Sequence, residues 1–337
     1  MSTYEEAGVS LAAADETVER ITRHVRSTYR PEVLGDIGGF GGLVALPGGY
    51  DDPVLVSSTD GVGTKLKVAE TTGRFDTIGI DLVAMCADDI AVQGADPLLF
   101  LDYVGVGRLD PAVVEAVVAG VADGCRRAGC ALVGGEVAEH GEGHSMDLAG
   151  FVVGVASRAA LVTGERIAPD DVLLGLPSPG LRSNGYSLAR RVLVTSPAAL
   201  DEPAWDGADH TLADELLRPS VIYSPALAAL RGAVDVHGFA HITGGGIAGN
   251  LVRVLPAHVD AVVRMGWWPV PRVFGEVQRR GDVSADEMAR VFNLGIGMIA
   301  VVPPGATPEA LRVLREQGHD AVTIGRVVAG GGRVVLA

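Results

Sequence analysis

Cysteine is scarce. Cys86, Cys125 and Cys130 are the only three in 337 residues. An odd count without CxxC pairs excludes a disulfide framework and argues against a zinc site, so buried free thiols are expected. Lysine is scarcer: Lys65 and Lys67 are the only two, and both fall in one Gly-rich segment. Aromatic residues make up 5% and charged residues 20%, against 48% hydrophobic. That balance excludes a disordered chain, a collagen and a coiled coil. No apolar run nears the ~18 residues of a membrane span; the longest clear one is Leu294 to Val302. The start, Met1-Ser2-Thr3-Tyr4-Glu5-Glu6, is acidic and lacks the apolar core of a secretory signal. A cytoplasmic protein is expected, with no membrane partner. A basic surplus is missing as well: 27 basic residues face 42 acidic ones, net −15. A nucleic-acid binder needs a basic surface, so no nucleic acid is expected as partner. Residues 1–168 hold 25 of the acidic and 12 of the basic residues. That acid serves solubility, or holds divalent cations through oxygen ligands.

What is present reads as α/β, with strands and helices alternating. Helices are expected over 12–28, 77–93, 111–128, 184–195, 222–232 and 308–317. The helix 77–93 carries Ile80, Ala84, Ala87 and Ala91 along one stripe. Strands are expected over 53–59, 98–106, 130–134, 148–156, 172–176 and 295–302. Gly-rich loop fills 35–49, a polar flexible loop 135–147, and a Pro-rich polar stretch 197–210. Turn chemistry at Thr163-Gly164-Glu165 and Pro169-Asp170-Asp171 places a boundary, giving domains 1–165 and 166–337.

The strongest motif is Thr59-Asp60-Gly61-Val62-Gly63-Thr64-Lys65-Leu66, after a strand. Glycines let backbone N–H groups approach phosphates, Lys65 adds a point charge and Asp60 can hold Mg²⁺. The alternative is a β-turn with a solvated lysine. The motif is neither a Walker A loop nor a Rossmann fingerprint. Asp81 and Asp88, seven apart, share a helix face; with Asp89 they bind metal or are simply solvated. Gly134-Gly135-Glu136 ends a strand, where α/β folds present ligand-facing carboxylates. Beyond it, His140 and His144 would face each other only on a helix, which Gly141 and Gly143 oppose. A mobile loop with Glu139 and Glu142 is the better reading there than zinc.

Ser183-Asn184-Gly185 opens a helix and reads as an anion site, or Asn184 as an N-cap alone. Thr243-Gly244-Gly245-Gly246 is a second glycine loop, flanked by His237 and His241, whose roles stay open between structure and catalysis. Arg182, Arg253 and Arg290 are phosphate contacts or surface charge. Three Gly-rich turns, a carboxylate group and no hydride or zinc signature point to a nucleotide and a phosphorylated substrate.

These runs resemble one family. Gly38-Gly39-Phe40-Gly41-Gly42-Leu43, Thr59 to Leu66, Ile78 to Cys86, Gln93-Gly94-Ala95-Asp96-Pro97, Gly134 to Glu136, Ser183 to Leu188, His241 to Gly246 and Phe292 to Met298 follow, in order, the pattern of phosphoribosylformylglycinamidine cyclo-ligases. The likeness runs from Tyr4 and Ala7-Gly8-Val9 to Gly325. Thr59–Leu66 and Gly134–Glu136 are shared with selenophosphate synthetases, thiamine-monophosphate kinases and hydrogenase maturation factors. The resemblance implies an α/β (α+β) chain of two domains. The N-terminal mixed-sheet domain binds ATP and pairs into a shared barrel in a homodimer, with active sites near the interface. The C-terminal domain is sheet and helix.

The implied reaction is ATP-dependent ring closure of a ribonucleotide in purine biosynthesis. The resemblance places Mg²⁺ and nucleotide phosphates on Asp60, Asp89 and Glu136. It sets Gly61, Gly63, Thr64 and Lys65 beside them and the substrate phosphate on Gly244, Gly245 and Gly246 with Ser183. The catalytic residues it implies are Asp60, Lys65 and Asn184.

The chain also departs from the family pattern. Arg182 stands where His is usual, Ser10 where Asp is, Asp88 where Asn is and Val221 where Arg is; the segment 137–147 differs and is shorter. Arg keeps a fixed charge but gives up proton transfer, so Arg182 reads as a phosphate contact. Two alternatives stay open at this stage: a paralogue that activates another amide, and a non-catalytic nucleotide-binding scaffold.

Overall fold

The computed structural model describes residues 10–141 and 143–337. Tyr4, Ala7-Gly8-Val9 and Glu142 lie outside them. The chain divides into two compact units, one of residues up to Ile90 plus Asp96–Arg158, the other Ala91–Ala95 plus Ala159–Ala337. Among the described residues no helix is long and apolar enough to cross a membrane.

The first unit contains α1 (Leu11–Arg26), β1 (Pro53–Gly61), α2 (Leu66–Thr72), α3 (Ile78–Ala91), β2 (Asp96–Val106), α4 (Pro111–Ala128), β3 (Ala131–Glu139) and β4 (Asp147–Ser157). Its sheet runs β1-β4-β2-β3, with β4 antiparallel to both neighbours and β2 parallel to β3. The expected mixed sheet is therefore present. Ser10 caps α1, its hydroxyl accepting from Ala13 N at 3.2 Å; serine does this as well as aspartate, so that departure is neutral for the helix. Asp110 caps α4 ahead of Pro111, and Gly129 closes it in the left-handed conformation.

The stripe expected on α3 is buried, but so are Leu82, Val83, Met85 and Cys86 on its other sides. A helix apolar all round belongs inside. Gly79 allows α3 to touch α4, since a Cβ there would collide with Val117 O and Val121 N. All three cysteines are free and buried, as expected. Burial pushes the Cys86 and Cys125 thiols upward, so they stay protonated and inert.

β3 departs from expectation. It does not stop at Gly134 but pairs with β2 from Leu99↔Ala131 through Val106↔Glu139. Gly134-Gly135-Glu136 thus lies mid-strand, and much of the loop expected at 135–147 is extended ladder.

The second unit contains β5 (Val172–Pro177), α5 (Tyr186–Leu193), α6 (Leu212–Leu216), α7 (Ser224–Ala233), β6 (Gly238–His241), α8 (Gly246–Leu251), β7 (Val259–Val263), α9 (Arg272–Gly281), α10 (Ala285–Val291), β8 (Ile296–Val302), α11 (Thr307–Glu316), β9 (Val322–Ala329) and β10 (Val334–Leu336). Its sheet order is β10-β7-β9-β5-β8-β6. Both faces are packed, with the period of two that strands impose. Leu174, Met298 and Ala300 enter a core with Leu227 and Leu314. Leu173, Ile299 and Val301 enter another with Ile247 and Leu251. The apolar run ending at Val302 is β8, buried along its whole length.

Candidate functional site

In the first unit, β1 delivers Asp60 into solvent. Gly61 N donates to Asp60 Oδ1 at 2.7 Å and Thr59 Oγ1 to Gly150 O at 2.8 Å, which fixes the strand end. Gly63 turns the chain at φ +61°, where glycine is unstrained, into the short turn Gly63–Lys65. Asp89, half-buried on α3, accepts from Ser58 Oγ at 3.0 Å. Glu136 is exposed, and its Oε1 accepts from Val137 N at 3.0 Å.

Lys65 is a correction. It neither stands free as a point charge over the loop nor lies in solvent. Its side chain is fully buried, with Nζ 2.6 Å from the equally buried Asp81 Oδ2. Asp81 and Asp88 share a face as expected, but that face is inside the protein. Lys65 therefore pins the glycine loop to α3. Nor do Asp60, Asp89 and Glu136 form a preassembled metal cage: among the described residues no three His, Cys, Asp or Glu side chains converge on one ion.

Two further side chains, Asp102 and Tyr103, escaped the sequence reading, and the His140–His144 pair was misjudged by it. Asp102 on β2 lies across Gly135, whose Cβ would collide with its carboxylate, and burial pushes its carboxyl up to about 7. His140 and His144 do meet without a helix, their ring centroids 4.4 Å apart, because Gly141 and Gly143 both take positive φ and fold the chain back. Tyr103 Oη lies 2.7 Å from His140 Nε2.

In the second unit the glycine motifs come together. The Asn250 amide donates to Thr243 O, Gly244 O and Gly246 O, while Thr243 Oγ1 donates to Asn250 Oδ1 at 3.1 Å. Asn184 Oδ1 lies 3.5 Å from where a Cβ on Gly244 would stand, so it flanks the loop. Gly244 and Gly245 are exposed. Gly246 is a correction: it is buried, its N–H donates to Thr243 O, and a Cβ would collide with Ala289 O, so its amide is spent inside the fold. Asn293 ties the run after α10 to the Ser183 turn by donating to Gly180 O at 3.0 Å. Ser183 is 9% exposed, and its hydroxyl has no hydrogen-bond partner among the described residues.

Arg182 also corrects the sequence picture. It is buried rather than a surface charge. Nη1 donates to Val221 O at 2.8 Å, Nη2 lies 2.9 Å from His241 Nε2, and the guanidinium sits 5.0 Å from the Tyr223 ring centroid. Two of the departures, at 182 and 221, are thus in contact. His237 is held between Asp171 at 2.7 Å and Asp235 at 3.3 Å, a latch between segments of this unit.

Residues 43–156 match the family model "AIR synthase related protein, N-terminal domain", and residues 168–337 its C-terminal counterpart. A phosphoribosylformylglycinamidine cyclo-ligase of Anaeromyxobacter sp. (strain Fw109-5) is 52% identical over 336 residues, covering 98% of this chain and 97% of that one. The enzyme of that name from Geobacillus kaustophilus is 48% identical over 333 residues, covering 98% and 96%. Among solved structures, the hydrogenase maturation protein HypE in complex with ATP superposes with TM-score 0.70 at 21% identity, covering 98% of this chain and 93% of HypE. Thiamine-monophosphate kinase from Stenotrophomonas maltophilia gives 0.69 at 18%, covering 95% of each; at those identities the likeness is one of fold. Family models over both halves and half-identical relatives along nearly the whole length have one reading: the chain belongs to the phosphoribosylformylglycinamidine cyclo-ligase family.

Proposed function

We propose that the protein closes the imidazole ring of aminoimidazole ribonucleotide from formylglycinamidine ribonucleotide and ATP, in purine biosynthesis. Identity of 52% over 98% of the chain carries this reading over a paralogue or a scaffold. The terminal phosphate of ATP moves to the formamide oxygen, turning a poor leaving oxygen into phosphate. The amidine nitrogen attacks that carbon, the C–N bond forms, the C–O bond breaks, and ADP and phosphate leave.

Residues 1–165 take the nucleotide in this proposal, and 166–337 the substrate phosphate. The exposed Asp60 carboxylate, oriented by Gly61 N–H, lies at the head of the phosphate loop, with Gly61, Gly63 and Thr64 lining it. Lys65 acts on this loop from within, by holding its shape. Asp60, Asp89 and Glu136 are hard oxygen donors, two of them open to solvent. That set fits Mg²⁺, which takes one or two carboxylates and completes its shell with phosphate and water. When bound, the ion neutralises charge on the phosphates. Gly244 and Gly245 amides with Ser183 take the ribonucleotide phosphate; the unpartnered, buried Ser183 hydroxyl supports this. Asn184 completes the polar lining, and exclusion of water protects the activated intermediate. A cytoplasmic homodimer belongs to the same reading.

The deciding assay follows ADP and a ring-closed product with and without formylglycinamidine ribonucleotide. Substrate-dependent turnover is expected; a folded, ATP-binding protein with none overturns the proposal. Asp60→Asn is expected to weaken Mg·ATP at least tenfold, about 1.4 kcal/mol, by calorimetry. Unchanged affinity removes Asp60 from the site.

A further inference from the structure

Arg182 sits at φ +61°, a backbone conformation that side chains other than glycine seldom adopt. Strain of this kind persists where surroundings over-determine it. Three groups do so. The Val221 carbonyl accepts one N–H at 2.8 Å, the Tyr223 ring lies 5.0 Å beneath the guanidinium, and His241 Nε2 lies 2.9 Å from Nη2. Tyr223 is itself fixed, its hydroxyl donating to Pro177 O at 2.7 Å and its ring packed on Gly297.

A guanidinium carries five N–H donors and no acceptor, and keeps its charge at any physiological pH. At that separation His241 Nε2 must accept. The imidazole proton then sits on Nδ1, and an imidazolium would oppose N–H to N–H beside a fixed positive charge. His241 is also the last residue of β6, two residues before the Thr243–Gly246 turn. Arg182 immediately precedes Ser183. One planar group therefore holds both the turn that presents Ser183 and Asn184 and the strand end that presents Gly244 and Gly245.

We propose that Arg182 is a positioning residue that locks His241 as its neutral Nδ1–H tautomer and so fixes the Gly244–Gly245 loop for a ribonucleotide phosphate. The ligand named rests on the cyclo-ligase reading; the tautomer does not.

The test begins with the wild-type protein labelled with ¹⁵N-histidine, the His241 signals being assigned by their loss in His241→Gln. At neutral pH, Nδ1 is expected to carry the proton and Nε2 none. A protonated Nε2 overturns the proposal without any variant having to fold. Arg182→Met is then expected to scramble the tautomer. It should raise KM for formylglycinamidine ribonucleotide about tenfold, with kcat within about threefold and ATP affinity unchanged. Arg182→Lys should recover part of the loss. His241→Gln, which offers Oε1 as an acceptor, should keep KM within about threefold, whereas His241→Leu should raise it like Arg182→Met. An unchanged tautomer or KM in Arg182→Met overturns the proposal. A wild type that neither binds nor turns over the ribonucleotide overturns the cyclo-ligase reading instead, and leaves the tautomer to the spectrum.

Discussion

Lys65 and Asp81 lie 2.6 Å apart with neither side chain reached by solvent. Taking two charges out of water costs several kcal/mol per ion, and close pairing returns it only while both partners stay. Lys65→Met is therefore expected to destabilise the protein by about 3–5 kcal/mol, by leaving a carboxylate buried without its cation. Replacing both, as Lys65→Met with Asp81→Leu, is expected to cost less than the single change in urea unfolding. Equal or greater loss in the double variant would show that the pair contributes net stability. None of this was legible at the residue scale. The loop from Thr59 to Leu66 announced itself by its glycines, but the partner of Lys65 lies 16 positions on, in a helix that is mostly apolar around it. The paired imidazoles of His140 and His144 were misread for a related reason. Two glycines at positive φ set their approach, and helical spacing does not describe such a turn.

Among elements, long periodic ones were legible and short or context-bound ones were not. α3, α4, β2, β4, β5 and β8 fall within a few residues of expectation, because burial imposes a period along each. In the second sheet β6, β7, β9 and β10 went unread: β6 and β10 are its edges, and are only four and three residues long. β3 was cut short because Gly134-Gly135 looks like a terminus. The ladder with β2 supplies the missing reason: Gly135 is needed where Asp102 crosses it, opposite in register. Burial holds the Asp102 carboxyl up to about 7, above its value in an unfolded chain. The proton is thus bound more tightly folded than unfolded. Ionisation costs the folded state nothing below about pH 4, progressively more from there to about pH 7, and its full penalty above. Asp102→Asn, which cannot ionise, is expected to raise Tm at pH 8 and to leave it unchanged at pH 4. A variant no more stable than wild type at pH 8 would mean that Asp102 ionises without strain.

At the scale of the whole molecule, the first sheet has one face packed by helices and another that exposes large apolar side chains where water would favour polar ones. On that outer face Leu55 of β1 is 64% exposed and Phe151 of β4 is 40% exposed. Thr59 stands opposite Phe151, and the buried Val155 opposite Leu55, in the β1–β4 ladder. Large apolar side chains left exposed on two paired strands suit burial against a second sheet. In the proposed homodimer, a matching face on another copy of the chain would supply one. Burying a Phe on each copy contributes about 1.5–3 kcal/mol per side chain, and a carboxylate in its place must be desolvated without a partner. Wild type is therefore expected to scatter light as twice its 34.7 kDa chain mass at micromolar concentration. Phe151→Glu should scatter as one chain while keeping its circular dichroism. A wild type that runs as a single chain, or a Phe151→Glu that stays paired, assigns the outer face of this sheet no role in assembly.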